Sequence, residues 1–192
     1  MKNKQDLRTA YRQLRKSLQP AVIEAKSQAI NAQLLDWLAD RSHLQHFHLF
    51  FPIDRFNEVN TFYIKESLDQ LGKTLYTSQV NRGETELETL KLPKLVSFFL
   101  DEWGIPVPQE SIMVSPNKIE VVFVPLLAYD LSGNRVGFGK GFYDSFLSKL
   151  KQDVIKIGLS FYEPEEGIQP DIHDVPLDYC ITPEKVYSFR RA

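Results

Sequence analysis

The sequence predicts an α/β fold, a three-layer α/β/α sandwich over a mainly parallel central sheet, and two observations carry that expectation. Ile119–Leu127 (IEVVFVPLL) is nearly continuously apolar, as a central parallel strand covered on both faces must be. Apolar segments of strand length alternate along the chain with segments of helical periodicity, the order expected of an α/β layer architecture. At 192 residues, 43% hydrophobic and 25% charged, the chain is long enough to bury a core without disulfide or metal staples, and a single domain over 1–192 is expected.

Leu7, Tyr11, Leu14 and Leu18 recur at helical spacing and predict a helix over Lys4–Leu18, ended by Pro20. A second helix is predicted over Ala21–Ala39, with Val22, Ile23, Ile30, Leu34, Leu35 and Leu38 on or near one face. His46–Ile53 (HFHLFFPI) reads as a strand, Val59–Leu71 as a third helix closed by Gly72, and Lys73–Val80 as the next strand. Asn81–Lys91 is charged and turn-like and reads as a connection. Within Trp103–Pro108 the two prolines restrict their neighbours to extended conformations, so no regular element is expected there. After the apolar strand, a helix over Gly141–Leu150 and strands at Val154–Ser160 and Tyr179–Thr182 complete the pattern.

A formal net charge of −2 argues against nucleic-acid binding through bulk charge. The single cysteine, Cys180, reads as a small apolar core residue, and no Cys/His metal spacing is present. Met1–Arg15 is polar and charged rather than signal-like, and no apolar run approaches a membrane span. A cytoplasmic monomer without nucleic-acid or membrane partners is the expectation.

The most informative stretch is Leu127–Asp144 (LAYDLSGNRVGFGKGFYD), placed between a buried strand and a helix, where ligands of open α/β sheets gather. Gly137, Gly139 and Gly141 permit positive φ and close backbone approach, so successive N–H groups there can cradle an anion. Arg135 and Lys140 add cations suited to phosphate oxygens. The P-loop pattern fails, because Gly139-Lys140 is followed by Gly141 and Asn134 stands where its first glycine belongs. The dinucleotide pattern also fails, at Phe142. The glycines alone fit either a tight hinge turn or an anion cradle; the two cations and the strand–loop–helix setting favour phosphate.

With Pro125 and Asp130 before it, the run Gly133-Asn134-Arg135-x-Gly137-x-Gly139-x-Gly141-Phe142-Tyr143-Asp144 resembles the hallmark of the 5-formyltetrahydrofolate cyclo-ligase family. The resemblance extends to Lys4-Gln5-Asp6-Leu7-Arg8, Glu58-Val59-Asn60-Thr61, Trp103-Gly104-Ile105-Pro106, and His173–Asp178 followed by Ile181-Thr182. It implies closure of 5-formyltetrahydrofolate, with or without a polyglutamate tail, to 5,10-methenyltetrahydrofolate, dependent on ATP and Mg2+, in a single three-layer domain.

The same resemblance implies residue roles. Lys4 and Arg8, four apart on one helical face, match positions that contact ATP phosphates, whereas Arg12, Arg15 and Lys16 read as surface charges. Arg135 and Lys140 would stabilise the moving phosphoryl group, and Gly137, Gly139, Gly141, Phe142 and Tyr143 would complete the nucleotide loop. Tyr143 would also reach the folate, together with Phe51 and with Glu58 on the pterin side. Asp144 and Asp174 would serve Mg2+. Phe138 and Glu163 depart from the family pattern, and His46 and His48 read as surface or edge residues. Another ATP-dependent ligase or kinase, or a non-catalytic nucleotide-binding regulator, would share the loop.

Overall fold

The structure, a computed structural model, describes residues 3–80, 86–101 and 104–190. Helix α1 spans Lys4–Lys16, with the Asn3 side chain accepting from the Gln5 N–H as an N-cap. Pro20 does more than end it. It opens α2 (Pro20–Leu38) at the first-turn position where a missing N–H costs nothing. The strands that follow are β1 (His46–His48), β2 (Thr74–Val80), β3 (Leu87–Lys91), β4 (Phe98–Leu100), β5 (Pro106–Pro108) and β6 (Ile112–Met113). After them come β7 (Val121–Pro125), β8 (Ala128–Tyr129), β9 (Arg135–Val136), β10 (Ile155–Leu159), β11 (Tyr179–Ile181) and β12 (Val186–Ser188). Helix α3 (Phe62–Gln70) lies between β1 and β2, and α4 (Phe142–Ser148) between β9 and β10.

An eight-stranded sheet runs in the order β12-β11-β10-β7-β1-β2-β3-β6. Its middle, from β11 to β2, is parallel throughout, and the strands beyond it on either side pair antiparallel. Side chains alternate across this sheet. Val121 and Phe123 of β7 pack with Ile30, Leu34 and Trp37 of α2 and with Ile64 and Leu68 of α3. Val122 and Val124 face the other way, against Phe146 and Leu147 of α4 and the buried Cys180. Helices on both faces give the three layers. Among the described residues no helix is long and apolar enough to cross a membrane.

Several elements differ from the sequence expectation, each for a physical reason. Only His46–His48 of the expected first strand pairs as strand, and the segment after Pro52 turns through a 3-10 helix at Asp54–Phe56. Helix α3 starts at Phe62, because the Asn60 N–H bonds Ser27 Oγ at 2.9 Å and the Asn60 side chain caps the Phe62 N–H. Of the expected connection over Asn81–Lys91, Leu87–Lys91 is β3, with Gln79 bonding Glu88 across the ladder at 3.1 Å, and 81–85 lie outside the described residues. Pro106–Pro108 is also regular: it pairs with Phe98–Leu100 in a two-stranded ladder, where the prolines' extended geometry suits a strand. Trp103 lies outside the described residues. His46 and His48 belong to a central strand, and His48 is fully buried.

Candidate active site

β1 and β7 are neighbours, yet the chain proceeds from β1 toward β2 on one side and from β7 toward β10 on the other. Their C-terminal ends therefore flank a topological switch point, where an α/β sheet opens a crevice. A cleft of about 1930 Å³ lies there, between Phe50 and Phe51 after β1, Pro125 at the end of β7, and the glycine segment. Ordinary small-molecule sites reach about 1,000 Å³, so this cleft has room for two ligands side by side.

The glycine segment does not run straight from strand to helix. The β8–β9 hairpin intervenes, and Asp130 organises it. Its Oδ1 accepts from the Ser132 and Asn134 N–H groups at 2.9 Å, and its Oδ2 accepts from Asn134 Nδ2 and the Ile168 N–H. Gly133 completes the turn at φ +82°, where an added Cβ would meet the Leu177 carbonyl oxygen at 2.7 Å. The hairpin delivers Arg135, 7% exposed, to the floor of the cleft. There Arg135 Nη2 donates to Asp144 Oδ1 at 2.6 Å, and Nη1 donates to the Val175 carbonyl. Asp144 Oδ1 also accepts from the Val175 N–H at 3.2 Å.

Of the three glycines expected at positive φ, only Gly139 (+94°) and Gly141 (+73°) adopt it. Gly137 does not; its carbonyl instead accepts from Arg8 Nε at 3.1 Å. The Arg8 side chain lies so close over Gly139 that an added Cβ there would stand 3.3 Å from Nε. Arg12 donates to the Phe138 carbonyl at 3.1 Å. Helix α1 thus clamps the loop through two arginines one turn apart. Lys4, at the start of α1, donates to Asp171 Oδ2 at 2.6 Å and to Asp174 Oδ2. Burial lowers the affinity of the Lys4 ammonium for its proton, but these two carboxylates outweigh it and raise it above the usual range. Lys140 is exposed and makes no hydrogen bond or ion pair with the described residues.

The opposite end of the cleft is aromatic and acidic. Phe51 packs on Phe98 and Phe62 at centroid separations of 4.5 and 5.0 Å. Glu58 is 6% exposed and accepts from the Ile53 N–H at 2.8 Å through Oε2. Burial pushes its carboxyl up to about 7, against the opposing pull of Arg15 and the Ile53 N–H. Tyr143 links the two ends. Burial raises its phenol above the usual range, Glu58 adds to the rise, and Arg135 opposes it.

Among the described residues no group of three or more His, Cys, Asp or Glu could hold a metal by itself. Asp144 and Asp174 each have one carboxylate oxygen engaged, Oδ1 and Oδ2 respectively, and the other without a partner among the described residues. That donor set fits Mg2+, which uses one or two carboxylates and takes its remaining ligands from water and phosphate.

The comparisons with known proteins give the family and the fold. The profile of the 5-formyltetrahydrofolate cyclo-ligase family matches residues 1–183. This chain belongs to that family. It is similar to the 5-formyltetrahydrofolate cyclo-ligase of Mycoplasma genitalium, 31% identical over 80% of this chain and 82% of the relative. The corresponding protein of Mycoplasma pneumoniae is 30% identical over 95% of this chain and 99% of the relative. A solved structure of a 5,10-methenyltetrahydrofolate synthetase from Aquifex aeolicus superposes with a TM-score of 0.81 at 26% identity, covering 98% of this chain and 94% of that one. The structure of the Mycoplasma pneumoniae synthetase gives 0.76 at 27% identity, over 94% and 99%. The chain is accordingly a cyclo-ligase-type enzyme with the mainly parallel α/β sheet of its relatives.

Every residue the sequence nominated lines this one cleft: Lys4, Arg8, Phe51, Glu58, Arg135, Gly137, Gly139, Lys140, Gly141, Phe142, Tyr143, Asp144 and Asp174. Besides His46, and Arg12, which was read as a surface charge yet lines the cleft, three residues were misread or missed. Arg15, taken for a surface charge, is 3% exposed. Asp171, the second partner of Lys4, carried no signal beyond its place near Asp174. His48, taken for a surface or edge residue, donates or accepts with Ser78 Oγ at 2.7 Å and packs on Tyr143 and Phe146; burial depresses it to about 3, so it stays neutral. A second cavity, of about 460 Å³, lies at the N-terminal ends of the strands, where Glu120 is already committed to the Gln45 and His46 N–H groups.

Proposed function

We propose that this enzyme closes 5-formyltetrahydrofolate to 5,10-methenyltetrahydrofolate at the expense of ATP, with Mg2+. The observation that carries the reading is the convergence of Lys4, Arg8, Arg135 and Lys140 with the glycine loop at one end of a two-ligand cleft whose other end holds Glu58 and Phe51.

A formamide carbonyl is a poor electrophile because the nitrogen lone pair is delocalised into it. Bound with its metal, ATP would supply the phosphoryl group that turns the formyl oxygen into a leaving group, with ADP released; ring closure then requires that N10 bond to the formyl carbon and give up its proton as the C–O bond breaks and phosphate departs. In this reading Lys4 and Arg8 bind the phosphates, and Arg135 and Lys140 hold charge on the transferring group. The backbone of Gly137, Gly139 and Gly141 lies close against the phosphates, with Phe142 and Tyr143 closing the loop. Asp144 and Asp174 would hold the metal through the oxygens left free. Glu58 accepts hydrogen bonds from pterin N–H groups, Phe51 packs on the ring, and Tyr143 stands between the ligands to align N10 with the formyl group.

The test is direct. The protein incubated with ATP, Mg2+ and 5-formyltetrahydrofolate is expected to generate the near-ultraviolet absorbance of the methenyl product. Absence of that absorbance, or its appearance without ATP or Mg2+, sinks the assignment.

A further inference from the structure

Arg15 is a buried cation with no direct ion pair among the described residues. It is 3% exposed, and its only side-chain hydrogen bond among the described residues runs from Nη2 to the Leu126 carbonyl just past β7. Its Nε and Nη1 have no partner. The guanidinium instead lies 5.9 Å from the ring centroid of Phe138, in the glycine loop, and 6.0 Å from that of Phe161. Burying a charge in this way costs stability that a hydrophobic side chain would not, so stability does not account for it. The carboxylate it attracts electrostatically is Glu58. The segments that carry them are tied together, because the Arg15 carbonyl accepts from Asn57 Nδ2 at 2.7 Å, one residue before Glu58.

We propose that Arg15 is a positioning residue that lets the Glu58 carboxylate give up its proton near neutral pH, ready for its ligand. It does so from behind the cleft wall, touching neither ligand. The groups facing Glu58 are Arg15 from α1, Tyr143 from α4, and the Ile53 N–H of its own segment. Tyr143 keeps its proton, since burial and Glu58 both raise it, and Tyr162 is the other ionisable group that interacts with Arg15. Among the described residues, Arg15 is therefore the one full positive charge of the groups that act on Glu58. Without it, burial acts nearly unopposed and Glu58 retains its proton to higher pH. The folate part of this inference rests on the reading of Glu58 as the pterin acceptor.

The experiment compares the parent with Arg15→Gln, which keeps a donor for Leu126, and Arg15→Met, which fills the space without polar atoms. Ligand-free urea unfolding from pH 5 to pH 9 reads the Glu58 proton directly, with Glu58→Gln as the flat control. Both Arg15 variants are expected to move the midpoint of that profile upward by about one pH unit or more. Calorimetric titration with 5-formyltetrahydrofolate is expected to show roughly fivefold weaker binding at pH 7, converging on the parent by about pH 9.5. In the Glu58→Gln background the same Arg15 changes are expected to add no further loss. An unchanged profile in a folded variant overturns the proposal, as does failure of both variants to fold, which would make Arg15 structural. If the parent binds no 5-formyltetrahydrofolate but the unfolding profile still moves, the folate reading falls and the Arg15–Glu58 linkage stands.

Discussion

Arg135 and Asp144 are paired across the glycine loop, Nη2 to Oδ1 at 2.6 Å, so the loop's buried cation and its carboxylate are held in register before any ligand arrives. Charge stabilisers work best when fixed beforehand, since reorganisation then costs nothing during reaction. Arg135→Ala is expected to lower kcat by about 10²–10³-fold with a smaller change in KM for the folate. Steady-state formation of the methenyl product checks this; a loss confined to KM would remove Arg135 from the transition state.

Lys4 bridges Asp171 and Asp174, and a phosphate would have to compete for it. Lys4→Ala is expected to weaken nucleotide binding by about tenfold or more, the worth of a charge-assisted hydrogen bond. Asp171 is exposed, so Asp171→Asn removes a competitor without opening the core, and nucleotide affinity should stay level or tighten a few-fold. Calorimetry with a non-hydrolysable ATP analogue separates the two variants, and equal losses in both would contradict the competition.

Glu58 carries a pH signature whose sign is fixed by burial. Its carboxyl sits at about 7 in the folded chain against 4.5 ordinarily, so between those values the folded state holds a proton that the unfolded state has released. That contribution is fully present below about pH 4.5 and is lost as pH rises through about 7. The parent should therefore lose on the order of 2–3 kcal/mol across this window relative to Glu58→Gln. Folate binding should run the other way, strengthening above about pH 7 as the carboxylate becomes the acceptor for pterin N–H groups. Urea unfolding and folate titration over the same pH range check both slopes.

The layers of the fold were legible because β7 is apolar on both faces and α2 repeats Ile30, Leu34 and Leu38 at helical spacing. The edges were not. β3, next to the short edge strand β6, and β12, at the other edge, carry charged and polar residues because one side of such a strand faces water, and such segments look like loops. The loop cations Arg135 and Lys140 could be found by chemistry and spacing, since anion binding demands such side chains, whereas the metal role of Asp174 came only with the family resemblance. Arg15 could not, because Leu7, Tyr11 and Arg15 share one buried stripe of α1 and an arginine there is indistinguishable in sequence from a solvated one. His48 was hidden by the alternation of β1, which places a histidine rather than an aliphatic side chain against α4. Family resemblance assigned roles, but only tertiary contacts separate a buried charge from a surface one.

The glycines of the loop serve different purposes, and two substitutions separate them. Gly133 has φ +82°, and a Cβ there would lie 2.7 Å from the Leu177 carbonyl oxygen, which itself belongs to backbone and cannot swing away. That carbonyl's residue also donates its N–H to the Gly133 carbonyl at 2.9 Å, so the turn and the 177 segment are locked together. Gly133→Ala should therefore cost stability, on the order of 2–4 kcal/mol, and activity should fall only as the hairpin carrying Arg135 loosens. Gly137 is the converse case: its φ is not positive and a Cβ would meet nothing within 4 Å. Gly137→Ala should leave the unfolding midpoint within about 0.5 kcal/mol of the parent. If its backbone lies against the phosphates, as proposed, the added methyl points into space a nucleotide needs, and nucleotide affinity falls while stability does not. Thermal unfolding and nucleotide titration of the two variants side by side give that crossed pattern, and a Gly137→Ala protein with parental affinity would remove Gly137 from the phosphate site.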